Sequence, residues 1–304
     1  MSAILESLKP RALGARDLDA VVAIDAALGG RSRRAYFERR LETATRDPGR
    51  DLHLGIDHNG VLAGFMMGRA HEGEFGRADA EARLDAFGVR PASQHLGLGT
   101  ALRAAFENLA RKRGLAGIRT SGVWRQHELL RFLDHAGYRL SENHVLDCAP
   151  TRDYEPLERD QFEVALLREK DLEGVARIDA RYTGRDRRAY LTRSFEESLA
   201  DSALRVSLAA HIDGGVAGFV MARVDYGDFG RAEPVAILDT VGVDPLRARE
   251  GIGRALMSQL FMNLAALGVE RVESVVAAGN LDLLGFFYAA GFRPSERLAF
   301  VKRL

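Results

Sequence analysis

The chain repeats itself once, at a fixed offset of 154 residues. Residues 24–42, IDAALGGRSRRAYFERRLE, face residues 178–196, IDARYTGRDRRAYLTRSFE, with 11 of 19 positions identical. The offset continues without a gap into residues 64–99 and 218–253, where 17 of 36 positions agree. A match this long demands two copies of one architecture, and two copies are too few for a solenoid. Each copy, about 150 residues, is large enough to bury a core of its own. The expected division is therefore a domain at 1–150 and a second at 151–304. The joint falls in CAPTRDYEPLERDQF at 148–162, which is charged, holds two prolines and lacks periodicity.

Composition removes several classes. Of the 304 residues, Lys plus Arg number 43 and Asp plus Glu number 43. That neutrality argues against a nucleic-acid binder, which carries a basic excess. The single cysteine, Cys148, excludes an internal disulfide and a multi-cysteine metal site, and no HExxH spacing occurs. No metal is expected. No run approaches the apolar length of a membrane helix, and the N-terminus does not read as a secretory signal. A cytoplasmic protein that engages neither membrane nor nucleic acid is the expectation.

The second copy shows the local plan. FEVALLREKDLEGVARIDAR reads as a strand and a helix, and GRDRRAYLTRSFEESLA as a loop entering a second helix. LRVSLAAHI and GGVAGFVMARV pair around Asp213-Gly214-Gly215, residues suited to the positive φ of a tight hairpin. VAILDTVGVD is a third strand. GIGRALMSQLFMNLAALG is a helix, with Ile252, Leu256, Leu260, Leu264 and Leu267 at three- and four-residue spacing, closed by Gly268. A strand, a short helix ending at Gly291 and a last strand, ERLAFVKRL, follow. This order gives an α/β fold, a mixed sheet covered by helices.

The chemical signal is the strand–GxG–helix unit, VDPLRAREGIGRALM in the second copy and VRPASQHLGLGTAL in the first. Glycines admit close backbone approach, and the exposed N–H groups of a helix start cradle an anion. It is not a dinucleotide fingerprint, since Leu256 stands where GxGxxG needs its last glycine, and the GK[ST] of a P-loop is absent. Asp239, in an otherwise apolar strand, is costly to bury unless paired or used. Alternation places it on one face with Val241 and Val243. Asp85 holds the same place in the first copy.

These pieces, with the late NLDLLGFFYAAGF, resemble the GNAT (GCN5-related N-acetyltransferase) superfamily over residues 8–147 and 160–304. The resemblance implies two tandem acyl-CoA N-acyltransferase domains, each a mixed, mostly antiparallel sheet flanked by helices. It implies acetyl-CoA as cosubstrate, held across a splayed pair of central strands. In the second copy Val241, Gly242 and Val243 would line the pantetheine arm. Arg249, Glu250, Gly251, Ile252, Gly253 and Arg254 would wrap the pyrophosphate. In the first copy Phe87 and Val89, then Gln94, His95, Gly97, Leu98, Gly99 and Thr100, take those places. The family's Gln/Arg position is Gln94 in the first copy but Ala248 in the second. Its Asn is Asn280 in the second and Gln126 in the first.

The resemblance also implies direct attack of an amine (a protein lysine, a protein N-terminus or a small amine) on the acetyl thioester. Asp239 and Asp85 would receive or orient the amine's proton. The usual thiolate-protonating Tyr falls at Phe287 and Leu133, so Tyr288, the next residue, is the substitute, or water is. GRxRRAY, with Arg31, Arg33, Arg34 and Tyr36, then Arg185, Arg187, Arg188 and Tyr190, lies where the acceptor binds and suits an acidic molecule or protein surface. A solvated helix entry explains it equally. Phe75–Ala78 and Phe229–Ala232 recur as turns before the acidic strand. Asn280 and Tyr288 make the second copy the expected catalyst. A non-catalytic acetyl-CoA sensor or interaction protein is the alternative.

Overall fold

The computed structural model describes residues 9–46, 48–71, 80–150, 161–200, 206–226 and 233–304. The recurrent Phe-Gly-Arg-Ala turns and residues 151–160 of the expected joint lie outside them. The first half runs β1 (Arg11–Ala12), α1 (Leu18–Gly29), α2 (Arg34–Arg46), β2 (Asp51–His58), β3 (Val61–His71) and β4 (Glu81–Val89). It continues with α3 (Leu98–Lys112), β5 (Gly117–Val123), α4 (His127–His135), β6 (Arg139–Leu140) and β7 (Asn143–Cys148). The second half repeats the order: β8 (Glu163–Leu166), α5 (Leu172–Thr183), α6 (Arg188–Ala200), β9 (Leu208–Ile212), β10 (Gly215–Tyr226) and β11 (Pro234–Val243). Then come α7 (Ile252–Ala266), β12 (Arg271–Ala277), α8 (Leu281–Ala289), β13 (Arg293–Pro294) and β14 (Arg297–Arg303).

Each expected element is present, with a two-residue strand added before the last one in each half. The β9–β10 hairpin turns through Asp213 and Gly214, at φ 52° and 76°. The helix α7 ends as the sequence predicts, with Gly268 at φ 72°.

Two seven-stranded sheets result, ordered β1-β2-β3-β4-β5-β14-β6 and β8-β9-β10-β11-β12-β7-β13. The orders are identical, but the seventh strands have changed places. The chain's last strand, β14, pairs antiparallel with β5 of the first half, from Arg297↔Val123 to Arg303↔Gly117. The first half's own last strand, β7, pairs with β12 of the second, from Val272↔Cys148 to Ala277↔Asn143. Each sheet therefore takes six strands from one half and one from the other.

The exchange reaches into the cores. Phe300 is buried with Leu102, Phe106 and Ile118 of the first half, and Leu146 with Leu256, Val272 and Phe292 of the second. Lys302 Nζ sits 2.6 Å from both Glu107 Oε1 and the Ala136 carbonyl oxygen, fastening the C-terminus to α3 and α4. A second pair of clusters lies on the opposite sheet faces, under α1 and α2 in one half and α5 and α6 in the other.

Phe300→Ala is expected to cost about 3 kcal/mol, the lower range for a buried aromatic truncation. Hydrogen exchange should show the lost protection in β5, some 180 positions earlier, with β12 unaffected. Loosening of β12 instead would contradict the exchanged pairing.

Candidate active site

The two central strands of each sheet are parallel and soon part. In the second half β11 and β12 pair from Val235↔Arg271 to Ile237↔Glu273, and in the first β4 and β5 pair only at Ala82↔Ile118 and Arg83↔Arg119. Antiparallel pairing on the other side fixes which backbone groups face the gap. Asp244 N donates to the Ala217 carbonyl at 2.8 Å, so residues 244, 242 and 240 turn their polar groups to β10. Val241 and Val243 then present their N–H and C=O groups to the gap. The bond from Arg90 N to the Ala63 carbonyl sets the same phase in the first half, leaving Phe87 and Val89 facing the gap. Two of these carbonyls are met by side chains. Gln94 Nε2 donates to Val89 at 3.3 Å, and the Tyr182 hydroxyl donates to Val243 at 2.6 Å.

Beyond each strand the chain turns sharply into a helix. His95 and Gly97 have φ of 63° and 82°, and Arg249 and Gly251 have 68° and 92°. A non-glycine residue in the left-handed region costs about 1 kcal/mol or more, yet both halves keep one at the same place. The turn aims the first N–H groups of α3 and α7 outward, where no intrahelical partner exists. His95 and Thr100 in the first turn, and Arg249, Glu250 and Arg254 in the second, are exposed around it, while Leu98 and Ile252 point into the cores. The second glycines differ. A Cβ on Gly253 would lie 2.9 Å from the Phe286 ring, whereas one on Gly99 would meet only Val89, at 3.8 Å. The residue matching Phe286 is Phe132, which stacks on Phe87 with centroids 4.8 Å apart.

The acidic strand carries a bulge that alternation does not foresee. Met221 pairs with Thr240 but Ala222 pairs with Leu238, so Asp239 is the extra residue. Asp85 is the extra residue in the first half, where Met67 faces Ala86 and Gly68 faces Leu84. The expectation that Asp239 shares a face with Val241 and Val243 is corrected. Those valines pack with Ala236 and Leu238 on the α7 side. Asp239 pairs with Arg223, which lies between Ala222 and Val224 in β10 and so points to the α5–α6 side. The bulge thus moves the carboxylate to the face where the GRxRRAY segment lies.

The two aspartates differ in enclosure. The Asp85 side chain is 3% exposed, 2.7 Å from Arg40 and 2.9 Å from Arg83. Asp51 lies beside the same Arg40, at 4.0 Å, with Arg69 at 3.3 Å and His53 at 3.4 Å. The second half has Ser194, Ile237 and Ser207 where the first has Arg40, Arg83 and His53, and its Asp239 side chain is 19% exposed. His53 is buried, and neither ring nitrogen has a hydrogen-bond partner among the described residues. Burial, reinforced by Arg40, Arg69 and Arg113, holds its pKa well below the ordinary histidine value.

Other expected site residues have structural partners. Arg33 is buried against Asp25 and lies over the Tyr36 and Phe37 rings, and Arg187 is buried 3.2 Å from Asp179 with Tyr190 beneath it. These arginines join the first two helices of each half, and so are corrected from acceptor contacts to packing residues, with Tyr36 buried beside them. Arg31, Arg34 and Arg188 are exposed and paired with Glu233, Asp19 and Glu173, and Arg185 is exposed. The surface beside α6 mixes Asp186 and Glu196 with Arg188 and Arg193, so it favours neither sign of charge. Asn280 Oδ1 caps α8, accepting from Leu283 N at 3.2 Å. Tyr288 is 41% exposed, and lies about 200° around the helix from Phe286, the residue turned toward the glycine turn. That rotation turns its side chain away from the glycine turn. Burial and Asp147 push the Cys148 thiol up to about 12, which disfavours its thiolate. The sequence reading passed over Tyr182, Phe286 and Arg40, which have no motif and become visible only as contacts across elements.

A gap lined by backbone groups that face no neighbouring strand, ending at outward-facing amides of a helix start, has the chemistry to pair with an extended, amide-containing chain that ends in an anion. The chain belongs to the Acetyltransferase (GNAT) family, whose pattern matches residues 20–138 and again 172–292. It comprises two tandem GNAT domains. It is 36% identical over 112 residues to the mycothiol acetyltransferase of Clavibacter michiganensis subsp. michiganensis (strain NCPPB 382), covering 37% of this chain and 34% of that protein. A mycothiol acetyltransferase of Clavibacter sepedonicus is 36% identical over 88 residues, covering 29% and 27%. The matched stretch thus spans between about a quarter and a third of the length of these curated relatives. The fold is that of a tandem GNAT protein from the clavulanic acid biosynthesis pathway, with TM-score 0.66 and 19% identity over 97% of this chain and 98% of that one. It is likewise similar to a GCN5-related glucosamine N-acetyltransferase region of a fungal multi-domain GH3 β-N-acetylglucosaminidase, with TM-score 0.68 and 16% identity over 97% of this chain and 38% of that one. Among the described residues no helix is long and apolar enough to cross a membrane, and no cluster of metal-ligand type is found.

A neutral buried His53 makes stability pH-dependent. The unfolded chain takes up a proton below about pH 6.5 and the folded one does not, so stability is full above that pH and declines below it. The decline from this one group approaches about 1.4 kcal/mol per pH unit. Urea midpoints between pH 8 and 5 should show it, and His53→Ser, which copies Ser207, should flatten the slope.

Proposed function

We propose that the protein transfers an acetyl group from acetyl-CoA to an amine, with the second half as the catalyst. The observation that carries this reading is the parted strand pair, whose backbone groups, facing no neighbouring strand, run up to a glycine turn. An arm with two amides and a pyrophosphate end fits both features. Val241 and Val243 would pair with the arm, and the N–H groups of residues 251–254 would hold the phosphates, with Arg249 and Arg254 beside them. Phe87, Val89 and the turn from Gln94 to Thr100 offer a matching site in the first half.

When bound, acetyl-CoA supplies the activated acetyl thioester. The amine must lose a proton to attack it, and Asp239 is the group positioned to orient or accept that proton. Its partial exposure favours it over Asp85, which is buried between two guanidiniums. Tyr288 points elsewhere and Phe287 has no proton to give, so the leaving thiolate draws its proton from water. The first half then serves as a cosubstrate-binding scaffold. With Arg33 and Arg187 occupied in packing, the case for an acidic acceptor rests on the exposed Arg31, Arg34, Arg185 and Arg188. The acceptor class is any accessible amine, a protein lysine, a protein N-terminus or a small molecule.

Calorimetric titration of acetyl-CoA should give a stoichiometry near two. A bulky residue at Gly97 or Gly251, both at positive φ, should remove one site each. Asp239→Ala should lower CoA release with an amine panel by about 100-fold or more, while Asp85→Ala retains turnover. Full activity in the Asp239 variant with loss in the Asp85 variant would reverse the assignment of halves. Binding without turnover on any amine would favour a sensor, and absence of binding would reject the acetyltransferase reading. Trp124, the chain's one tryptophan, is 47% exposed just beyond β5. Its emission should respond to loading of the first cleft and not of the second.

A further inference from the structure

The second cleft is closed from α5 by a short bond, whereas the matching Val89 carbonyl of the first is met by Gln94 Nε2 at the longer distance of 3.3 Å. The last turn of α5 sends two consecutive side chains onto the end of β11. Arg181 pairs with Asp244, and the Tyr182 hydroxyl donates to the Val243 carbonyl at 2.6 Å. That carbonyl belongs to the set facing the gap, immediately before the glycine turn. The helix ends two residues later at Gly184, with φ 66°. The Tyr182 side chain is 59% exposed, so its position depends on this bond more than on packing. The first half has Ala27 and Leu28 at these places, and neither can make either contact.

We propose that Tyr182 is a latch on the second cleft, which the pantetheine arm must displace before it can pair with Val243. The proposal rests on the reading of the cleft as an acetyl-CoA site. An incoming amide N–H competes with the phenol for one carbonyl, and the competition weakens binding by the worth of that bond, about two- to tenfold. The Tyr182 bond, at 2.6 Å, is far shorter than that of Gln94 to Val89, at 3.3 Å, so the first cleft fills at lower acetyl-CoA concentration and the second fills when the latch opens. Arg181 keeps the helix end in place, so that the tyrosine alone swings.

The test is Tyr182→Phe, which removes only the hydroxyl, measured by calorimetric titration with acetyl-CoA. In a background with the first site closed by a bulky residue at Gly97, the remaining dissociation constant should fall about two- to tenfold. In the background closed at Gly251, Tyr182→Phe should change nothing. A two-site isotherm of the otherwise unaltered chain, in which the weaker site moves toward the stronger, gives a second readout. Unchanged affinity at the second site would overturn the latch. So would weaker binding, which would make the hydroxyl a contact to the cosubstrate. Failure of the unaltered protein to bind acetyl-CoA would reject the underlying reading, a separate outcome.

Discussion

The parting of two parallel strands is the constraint from which the rest of each half follows. Once β11 leaves β12 after Ile237↔Glu273, the backbone groups of Val241 and Val243 have no strand to pair with. Buried or half-buried backbone groups need partners, so the gap must be met by side chains, by water or by a ligand chain. Tyr182 and Gln94 meet part of the need. The positive-φ turns at the strand ends supply anion-binding amides beside the gap, and the two features together select an extended ligand with a charged end.

The bulge at Asp239 and Asp85 is tied to the same strands. One extra residue bends β4 and β11 away from their parallel neighbours and carries the acidic side chain to the opposite face. The two halves have elaborated that residue differently. In the first, Arg40 and Arg83 enclose Asp85 in a buried network that also holds Asp51, Arg69 and His53. Such a network holds its members in place but leaves the carboxylate little access. In the second, serines and an isoleucine replace that surround, and the carboxylate keeps some exposure. Duplication has kept the cleft and altered the chemistry around it.

Exchange of the seventh strands makes each half depend on the other. β14 completes the sheet that β5 begins, and β7 completes the sheet of β12. The swapped strands carry Phe300 and Leu146 into the partner cores. The loop before β14 also reaches the first cleft's far wall, where Trp124 N donates to the Glu296 carbonyl at 3.1 Å and Arg125 pairs with Glu296. Each cleft is therefore braced by residues far away in sequence.

The sequence by itself determined the duplication, the order of elements, the two glycine turns and the presence of an acid in the fourth strand. Each is written in local pattern: a fixed offset, a three- and four-residue period, glycines where φ is positive. Only the tertiary structure decided the face of Asp239, since a bulge breaks the two-residue period without a mark in composition. It alone showed the exchange of β7 and β14, because which sheet a strand joins is set by partners far away in sequence, such as Glu107 for Lys302. It alone separated Arg33 and Arg187, buried against Asp25 and Asp179, from the exposed arginines beside them, and brought Tyr182 to Val243 across 61 residues. Those facts depend on contacts between distant segments, which local pattern does not encode.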